Sequence, residues 1–571
     1  MDSDEEILIL RNGDKGATTL LLGDVTKPST VTEIRHFEGS LSSLKSKRLS
    51  DDEVAIAVAV LTTPEGAMYN PAADKKQLTT GKVYSSLFVR HWDSWVSENQ
   101  NSIWYGLLKK DDKSYKLEVP PFGGSGDFDI GKHGIVFVAR DPEISPAIYI
   151  KTDLYFLPLK TFTEDKPPLP QIVKTSKLRG YSAAPVFSRD GKKVAFTRMK
   201  SDQYETDKPR LLLVPNVFDL ASSKDDSELY VSAEDHGRAK LWKLPTTPHE
   251  AKDLPAAIYE EGSVVEAKLL GDGEKLFIST SSRVENSAYS VLDPVNQKTD
   301  LVSSSSKHGK SFGLSKSQCD EFWYKGAEGY DVHALVVKPS NFDENKKYPL
   351  AFLIHGGPQA AWIDSWSTRW NPAIFAEQGY IAVMPNPTGS TGYGQKHTDN
   401  IQNEWGGRPY VDLVKCFDHI EKNIPYIDSG NAGHELGRKF KALVCHDGVS
   451  STLNQWSTEE LFFPLHDFGG PLWENREGYE KWDPAHHLDQ WSTPQLVIHN
   501  ELDYRLPISE GLAMFNVLQA RGVPSKLLMF PDENHWVLKP ENSLVWHSEV
   551  LGWINKYAGL DKSEDVAIRQ Q

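Results

Sequence analysis

The chain has 571 residues, too many for one compact core, so at least two domains are expected. Apolar residues make up 39% and charged residues 25%, the balance of a soluble globular protein, and no stretch reaches the roughly 18–20 apolar residues that span a bilayer. Acidic residues outnumber basic ones, 79 to 63, for a formal charge of -16 that no Lys/Arg stripe offsets, which argues against nucleic-acid binding.

The chain opens on the acidic run Met-Asp-Ser-Asp-Glu-Glu, with no basic or apolar leader, and it contains no Asn-x-Ser/Thr sequon. The expectation is a cytoplasmic protein as written, secreted if an N-terminal segment precedes it. From there to about residue 315, short strand-like runs follow polar turns. They include Glu6–Leu10, Val54–Val58, Gly134–Val138, Lys193–Thr197, Glu228–Ser232 and Lys275–Ser279. Acidic turn residues tolerate tight backbone geometry, and the β-branched and aromatic residues behind them fill buried strands. Recurrence near 40–50 residues predicts a β-propeller of four-stranded blades over residues 1–315. The step from Phe196 to Tyr230 is short, and the first strand lies almost at Met1. The propeller is therefore read as incomplete, with part of a blade lost near 218–225.

From Tyr348 the texture changes, and strand-like runs alternate with helical ones. Strands are expected at 349–354, 380–384, 442–445, 495–499 and 526–530, and helices at 411–423, 509–521 and 543–557. This alternation predicts a mainly parallel, doubly wound sheet over residues 316–571. Active sites of such sheets lie beyond the carboxyl ends of the strands. Three features stand there. His355-Gly-Gly-Pro358 offers the backbone N–H groups of Gly356 and Gly357 to a developing oxyanion. Asp503 follows the next-to-last strand and His535 follows the last one, the order of an orienting acid and a general base in an α/β-hydrolase.

Cys319, Cys416 and Cys445 are too few for a disulfide framework, and none sits in a Cys-x-x-Cys pair. His486 and His487 are adjacent rather than three or four residues apart, so neither a metal nor an organic cofactor is expected.

His355-Gly-Gly-Pro358, the run Asn386-Pro-Thr-Gly-Ser-Thr-Gly-Tyr-Gly394, Trp405-Gly-Gly407 and the Asp503 and His535 loops together resemble the prolyl oligopeptidase family of serine peptidases. Arg90-His-Trp-Asp93, the 386–394 run and His446-Asp-Gly448 are most similar to its fungal dipeptidyl-peptidase V-like group. The resemblance implies a β-propeller capping an α/β-hydrolase domain, with the active site in the cavity between them. It also implies short peptide substrates that lose dipeptides from free N-termini, and it leaves the oligomeric state open.

The family expects a Gly-x-Ser-x-Gly elbow between the helix at 411–423 and the strand at 442–445. The sequence there reads Pro425-Tyr-Ile-Asp-Ser-Gly-Asn-Ala-Gly-His-Glu-Leu-Gly-Arg-Lys-Phe440, with neither an apolar strand nor the motif. The elbow segment is expected to be lost near 432–435, leaving Asp503 and His535 without their nucleophilic serine and the chain inactive. The alternative is a non-catalytic pseudoenzyme whose propeller is an interaction surface. Other serines do not substitute. Gly309-Lys-Ser-Phe-Gly313 lacks the preceding strand and following helix of an elbow, Ser429 lacks the strand, and Ser390 belongs to a glycine loop.

Overall fold

A computed structural model of the chain describes residues 6–73, 79–109, 117–118, 126–164, 166–175, 178–215, 228–247, 255–270, 274–428 and 440–560. The chain divides into two compact units, Met1–Val89 with Trp95–Ser227, and Arg90–Ser94 with Glu228–Gln571.

The first unit is built of antiparallel sheets of three or four strands, meanders of chain neighbours except where Glu53–Thr62 pairs with Gln100–Lys109 across two short intervening strands. The strand Glu53–Thr62 shows why such sheets stack. Its alternation sends Ala55, Ala57 and Ala59 to one face, where they pack with Phe128, Ile135 and Phe137 of the next sheet. Val54, Ile56, Val58 and Val60 face the other way, against Leu20 and Phe37 of the preceding sheet. A strand buried on both faces is what the apolar run Val54–Val58 encodes. The other expected runs in this region also coincide with strands, Glu6–Asn12, Gly134–Arg140 and Lys193–Arg198 among them.

The second unit begins with two further antiparallel sheets, Glu228–Glu234 to Ala257–Tyr259 and Ser263–Leu269 to Thr299–Ser304. The change of texture near residue 315 and the division by packing at 227/228 thus fall at different places. In the three-stranded sheet of this unit Glu228–Glu234 forms the edge. The shortened blade expected near 218–225 lies outside the described residues.

Among the described residues the α/β part has seven strands: β1 (Cys319–Lys325), β2 (Asp331–Val337), β3 (Leu350–Phe352), β4 (Ile381–Asn386), β5 (Leu443–His446), β6 (Gln495–Ile498) and β7 (Ser525–Leu528). Three helices frame them, α1 (Arg408–Asn423), α2 (Ser509–Ala520) and α3 (Pro540–Ala558). The strands form two sheets, in the orders β1-β2-β4-β3 and β5-β6-β7. Pairing is parallel for β3 with β4, β5 with β6 and β6 with β7.

Between β3 and β5 the sheet is interrupted. Among the described residues no strand joins them. Beside Tyr348, just before β3, the chain does begin such a strand. Tyr348 N–H donates to Tyr426 O (2.9 Å), Asp428 N–H donates to Tyr348 O (2.8 Å), and Tyr348 and Ile427 form a parallel bridge. Asp428 is the last described residue of this stretch, and the segment read as having lost its elbow, 432–435, lies outside the described residues.

Packing nevertheless spans the interruption. α3 sets Trp546 and Val550 into one core that holds Leu335, Ala382 and Met384 of the first sheet and Leu496 and Ile498 of the second. Trp553 Nε1–H donates to Leu443 O (3.1 Å) and fixes the helix to β5. On the opposite face α1 buries Cys416 and Ile420 against Val336, Ile381 and Val383.

Candidate active site

Asp503 and His535 sit on the loops after β6 and β7, and the structure brings them together. His535 Nδ1 lies 2.8 Å from Asp503 Oδ2. An acid on Nδ1 fixes the ring and leaves Nε2 as the basic nitrogen. Asp503 is almost wholly buried, and its Oδ1 accepts from Leu506 N–H at 2.9 Å. Leu506 O in turn lies 2.6 Å from Nε2 of the buried His499. The two loops are also tied to each other. Asn500 Nδ2–H donates to Asn534 O (2.8 Å), and Leu502 N–H donates to Glu533 O (3.1 Å). The Glu533 carboxylate accepts from Leu538 and Lys539 N–H and so closes the start of α3. His535 is therefore held by strand, loop and helix at once, the rigidity that acid–base chemistry needs.

Gly356 and Gly357 lie on the loop after β3, both exposed. Gly357 has φ +134, and a Cβ there would stand 2.6 Å from Gln359 N, so the position demands glycine. His355 braces this loop, with Nδ1 2.8 Å from Gly356 O and Nε2 2.9 Å from Ser390 Oγ. Among the described residues no hydrogen bond or ion pair links these glycines to Asp503 or His535. Ser390 is fully buried and acts as a strut, as its place in a glycine loop suggested. The Gly-x-Ser-x-Gly match at 309–313 forms a single 3-10 turn, Lys310–Phe312, capped by left-handed glycines, and has no elbow geometry. Ser429 lies outside the described residues.

Sequence reading missed how much of the site comes from elsewhere in the chain. The segment Arg90-His-Trp-Asp93 carries the family resemblance but was given no role, and it borders His535. The Trp92 ring lies 6.2 Å from the His535 ring and edge-on to Trp536 at 4.8 Å. Asn534 Nδ2–H donates to Asp93 Oδ2 (2.9 Å), and Tyr504 N–H donates to Trp92 O (3.1 Å). A compact charged and aromatic motif outside any strand pattern was the available signal. Asp447, after β5, was missed as well. Its Oδ2 is 3.6 Å from His535 Nδ1, and burial raises its carboxyl well above the usual range. Burial also depresses the neighbouring His446 to about 3, so that ring is neutral and its Nδ1 accepts from Trp546 Nε1–H at 2.9 Å.

Glu459 accepts a short hydrogen bond from Trp92 N–H and is 5% exposed. Burial pushes its carboxyl up from 4.5 to about 7. The folded chain therefore holds this proton more tightly than the unfolded chain. Its contribution to stability is complete below the unfolded value and is lost as pH rises through about 7. The loss is on the order of 3 kcal/mol. Glu459→Gln keeps the acceptor for Trp92 and removes the ionisation. Urea unfolding should find the variant equal to the parent near pH 4, below the unfolded value of 4.5. Near pH 8 it should be more stable by about 2–3 kcal/mol. Equal stabilities at both values would mean that Glu459 is not held protonated.

Comparison with known proteins bears directly on this arrangement. The model of the prolyl oligopeptidase family matches residues 366–435 and 431–561. Dipeptidyl-peptidase 5 of Trichophyton equinum is 40% identical over 615 positions, which take in 97% of this chain and 84% of the relative. The chain belongs to the prolyl oligopeptidase family of serine peptidases. A probable dipeptidyl-peptidase 5 of Arthroderma benhamiae, 39% identical with the same coverages, is another relative. The backbone also superposes on Pyrococcus horikoshii acylaminoacyl peptidase with a TM-score of 0.73 at 14% identity, over 99% of this chain and 88% of that one. This likeness supports the propeller-plus-hydrolase architecture. One detail of the family match falls beside the interrupted sheet. The family model is matched in two pieces that meet at 431–435. The 615 aligned positions hold only 97% of 571 residues, about 554, so about sixty positions of the Trichophyton relative have no counterpart in this prolyl oligopeptidase-family chain.

Proposed function

We propose that the complete protein is a serine dipeptidyl-peptidase, releasing dipeptides from the free N-termini of short peptides, and that the chain as written is inactive because it lacks the nucleophile. His535 is the general base, Asp503 its orienting acid, and the N–H groups around Gly356 and Gly357 part of the oxyanion hole. Residues 1–315 form the propeller, shortened near 218–225, and residues 316–571 the hydrolase domain. Dipeptide release is supported by the name dipeptidyl-peptidase 5 that the 38–40% identical relatives carry.

The observation that carries this reading is that, among the described residues, no strand joins β3 to β5. Asp428 has started a parallel strand beside Tyr348, and a strand in that slot would emerge between the glycine loop after β3 and the dyad after β6 and β7. This is where an elbow serine meets its base and its oxyanion donors. The sequence from Pro425 to Phe440 supplies no such strand and no Gly-x-Ser-x-Gly.

Two measurements test it together. RNA from the source organism, read across codons 425–440, should contain extra codons for a strand, the motif and a helix. Protein purified from that organism should then label with a fluorophosphonate probe. A transcript that reads as written, with unlabelled protein, would leave a non-catalytic protein and end the peptidase reading of this chain.

A further inference from the structure

Buried and half-buried arginines of the second unit are matched to carboxylates elsewhere. Arg505 pairs with Glu460, and Arg283 Nε–H donates to Asp364 Oδ1 at 3.1 Å. Arg369, on the loop after β3, is different. Among the described residues no carboxylate lies within ion-pair distance of it, and its Nη1 is buried with no acceptor. Burial lowers its pKa, and Asp447 opposes that shift only from beyond ion-pair distance. Asp447 is itself engaged, with Oδ2 2.5 Å from His446 Nε2 and 3.6 Å from His535 Nδ1. A part-buried cation with an orphaned donor is costly until something completes it.

The place of this cation is fixed by its surroundings. Ser367 Oγ accepts from Arg369 N–H (3.1 Å) and from Trp370 N–H (2.9 Å), and Asn371 caps the short helix Pro372–Glu377 that follows. The guanidinium lies over the Trp536 ring, 4.3 Å from its centre, and 5.2 Å from the centre of Trp370. Stacking on indoles holds the planar fork while leaving its N–H groups unused. Trp536 directly follows His535, and Trp370 meets His446 edge-on at 4.7 Å. The uncommitted guanidinium therefore stands next to the general base.

We propose that Arg369 is the recognition group for a carboxylate of the peptide substrate. A carboxylate offers two coplanar oxygens to the fork and takes two parallel N–H bonds, a match that a neutral amide cannot make. The residue is only part-buried, so the anion reaches it from solvent. An Asp or Glu side chain and a free C-terminus carry the same group, and either source fits. From the peptidase reading the inference takes only that the ligand is a peptide.

Calorimetric titration of the full chain with two pairs of peptides tests it. Ala-Ala-Ala is compared with its C-terminal amide, and Ala-Asp-Ala amide with Ala-Asn-Ala amide. In at least one pair the charged member should bind about tenfold more tightly, and which pair does so identifies the terminal or the side-chain carboxylate. Arg369→Gln should erase the preference and leave the affinities of the neutral peptides unchanged. Equal binding of charged and neutral members, a preference that survives Arg369→Gln, or no binding by any of the four would each overturn the proposal. If Arg369→Gln does not fold, the unmodified chain still decides. The preferred peptide should protect Arg369 from phenylglyoxal in peptide mapping, and undiminished modification would refute the assignment. None of these readouts needs a nucleophile or turnover, so failure here leaves the transcript and fluorophosphonate tests of the peptidase reading untouched.

Discussion

Inserting a strand, a Gly-x-Ser-x-Gly turn and a helix between Asp428 and Leu436 should convert an inert chain into a peptidase, with a gain in turnover on the order of 10^6-fold. Removing the serine from a triad leaves only binding and oxyanion stabilisation, so on the proposed reading the present chain forms no acyl intermediate. The base is already in place, with His535 Nδ1 2.8 Å from Asp503 and the loops tied by Asn500 and Glu533. What the insert adds is the reacting atom and the helix N-terminus behind it. In the repaired chain, Asp503→Asn should lower turnover about 10^4-fold by releasing the ring from its productive tautomer. The insert should also raise the thermal midpoint, because it pairs edges of β3 and β5 that no described strand covers and shields apolar surface beside them. A repaired chain that melts in one cooperative step yet neither labels with fluorophosphonate nor cleaves a dipeptidyl substrate would show that the dyad belongs to some other chemistry.

Much of this was legible in the sequence because it depends on local patterns. The apolar run at 495–499 and the apolar face of 543–557 predicted β6 and α3 to within a few residues. The dyad followed, since strand ends place the loops that carry Asp503 and His535. The loss of the elbow is read from the sequence alone, because an elbow needs apolar residues that 425–440 does not contain. Other parts of the site depend on long-range packing. Trp92 and Asp93 reach His535 from over 400 residues away in sequence, as the Asn534 contact to Asp93 shows. No periodicity can announce such an insertion. Asp447 was hidden for a related reason. Its neighbours in sequence suggest an ordinary turn, and only the parallel register of β5 with β6 sets it beside His535. That the division by packing at 227/228 lies apart from the change of texture near 315 has the same origin. Antiparallel texture continues past residue 228, while packing changes there.

Asp412→Ala is expected to destabilise the second unit by about 3–4 kcal/mol, more than its place on an amphipathic helix would suggest. Asp412 lies on α1 and is wholly buried, although the helical pattern allows a charged residue there only on a solvated face. Its Oδ1 accepts from Ala327 N–H at 2.6 Å. Its Oδ2 accepts from Thr388 N–H at 2.8 Å and from the Thr388 hydroxyl at 2.6 Å. One carboxylate thus ties α1 to the turn between β1 and β2 and to the glycine-rich loop after β4. The fit is close, since a Cβ at Gly326 would stand 2.2 Å from Asp412 Oδ1. Alanine removes the acceptor and leaves two backbone donors buried without partners, at about 1–3 kcal/mol each before relaxation. Asp412→Asn keeps the shape and one acceptor oxygen but turns an amide N–H against a donor, so it should cost about half as much. The effect should not stop at stability. Thr388 shares its loop with Ser390, Ser390 braces His355, and His355 braces Gly356. In a chain with its elbow restored, Asp412→Asn should therefore lower turnover while leaving substrate affinity nearly unchanged, because the oxyanion loop acts in the transition state. Urea unfolding gives the first quantity and the split between kcat and KM the second. A loss of stability with turnover unchanged would confine Asp412 to the fold and remove it from the support of the oxyanion loop.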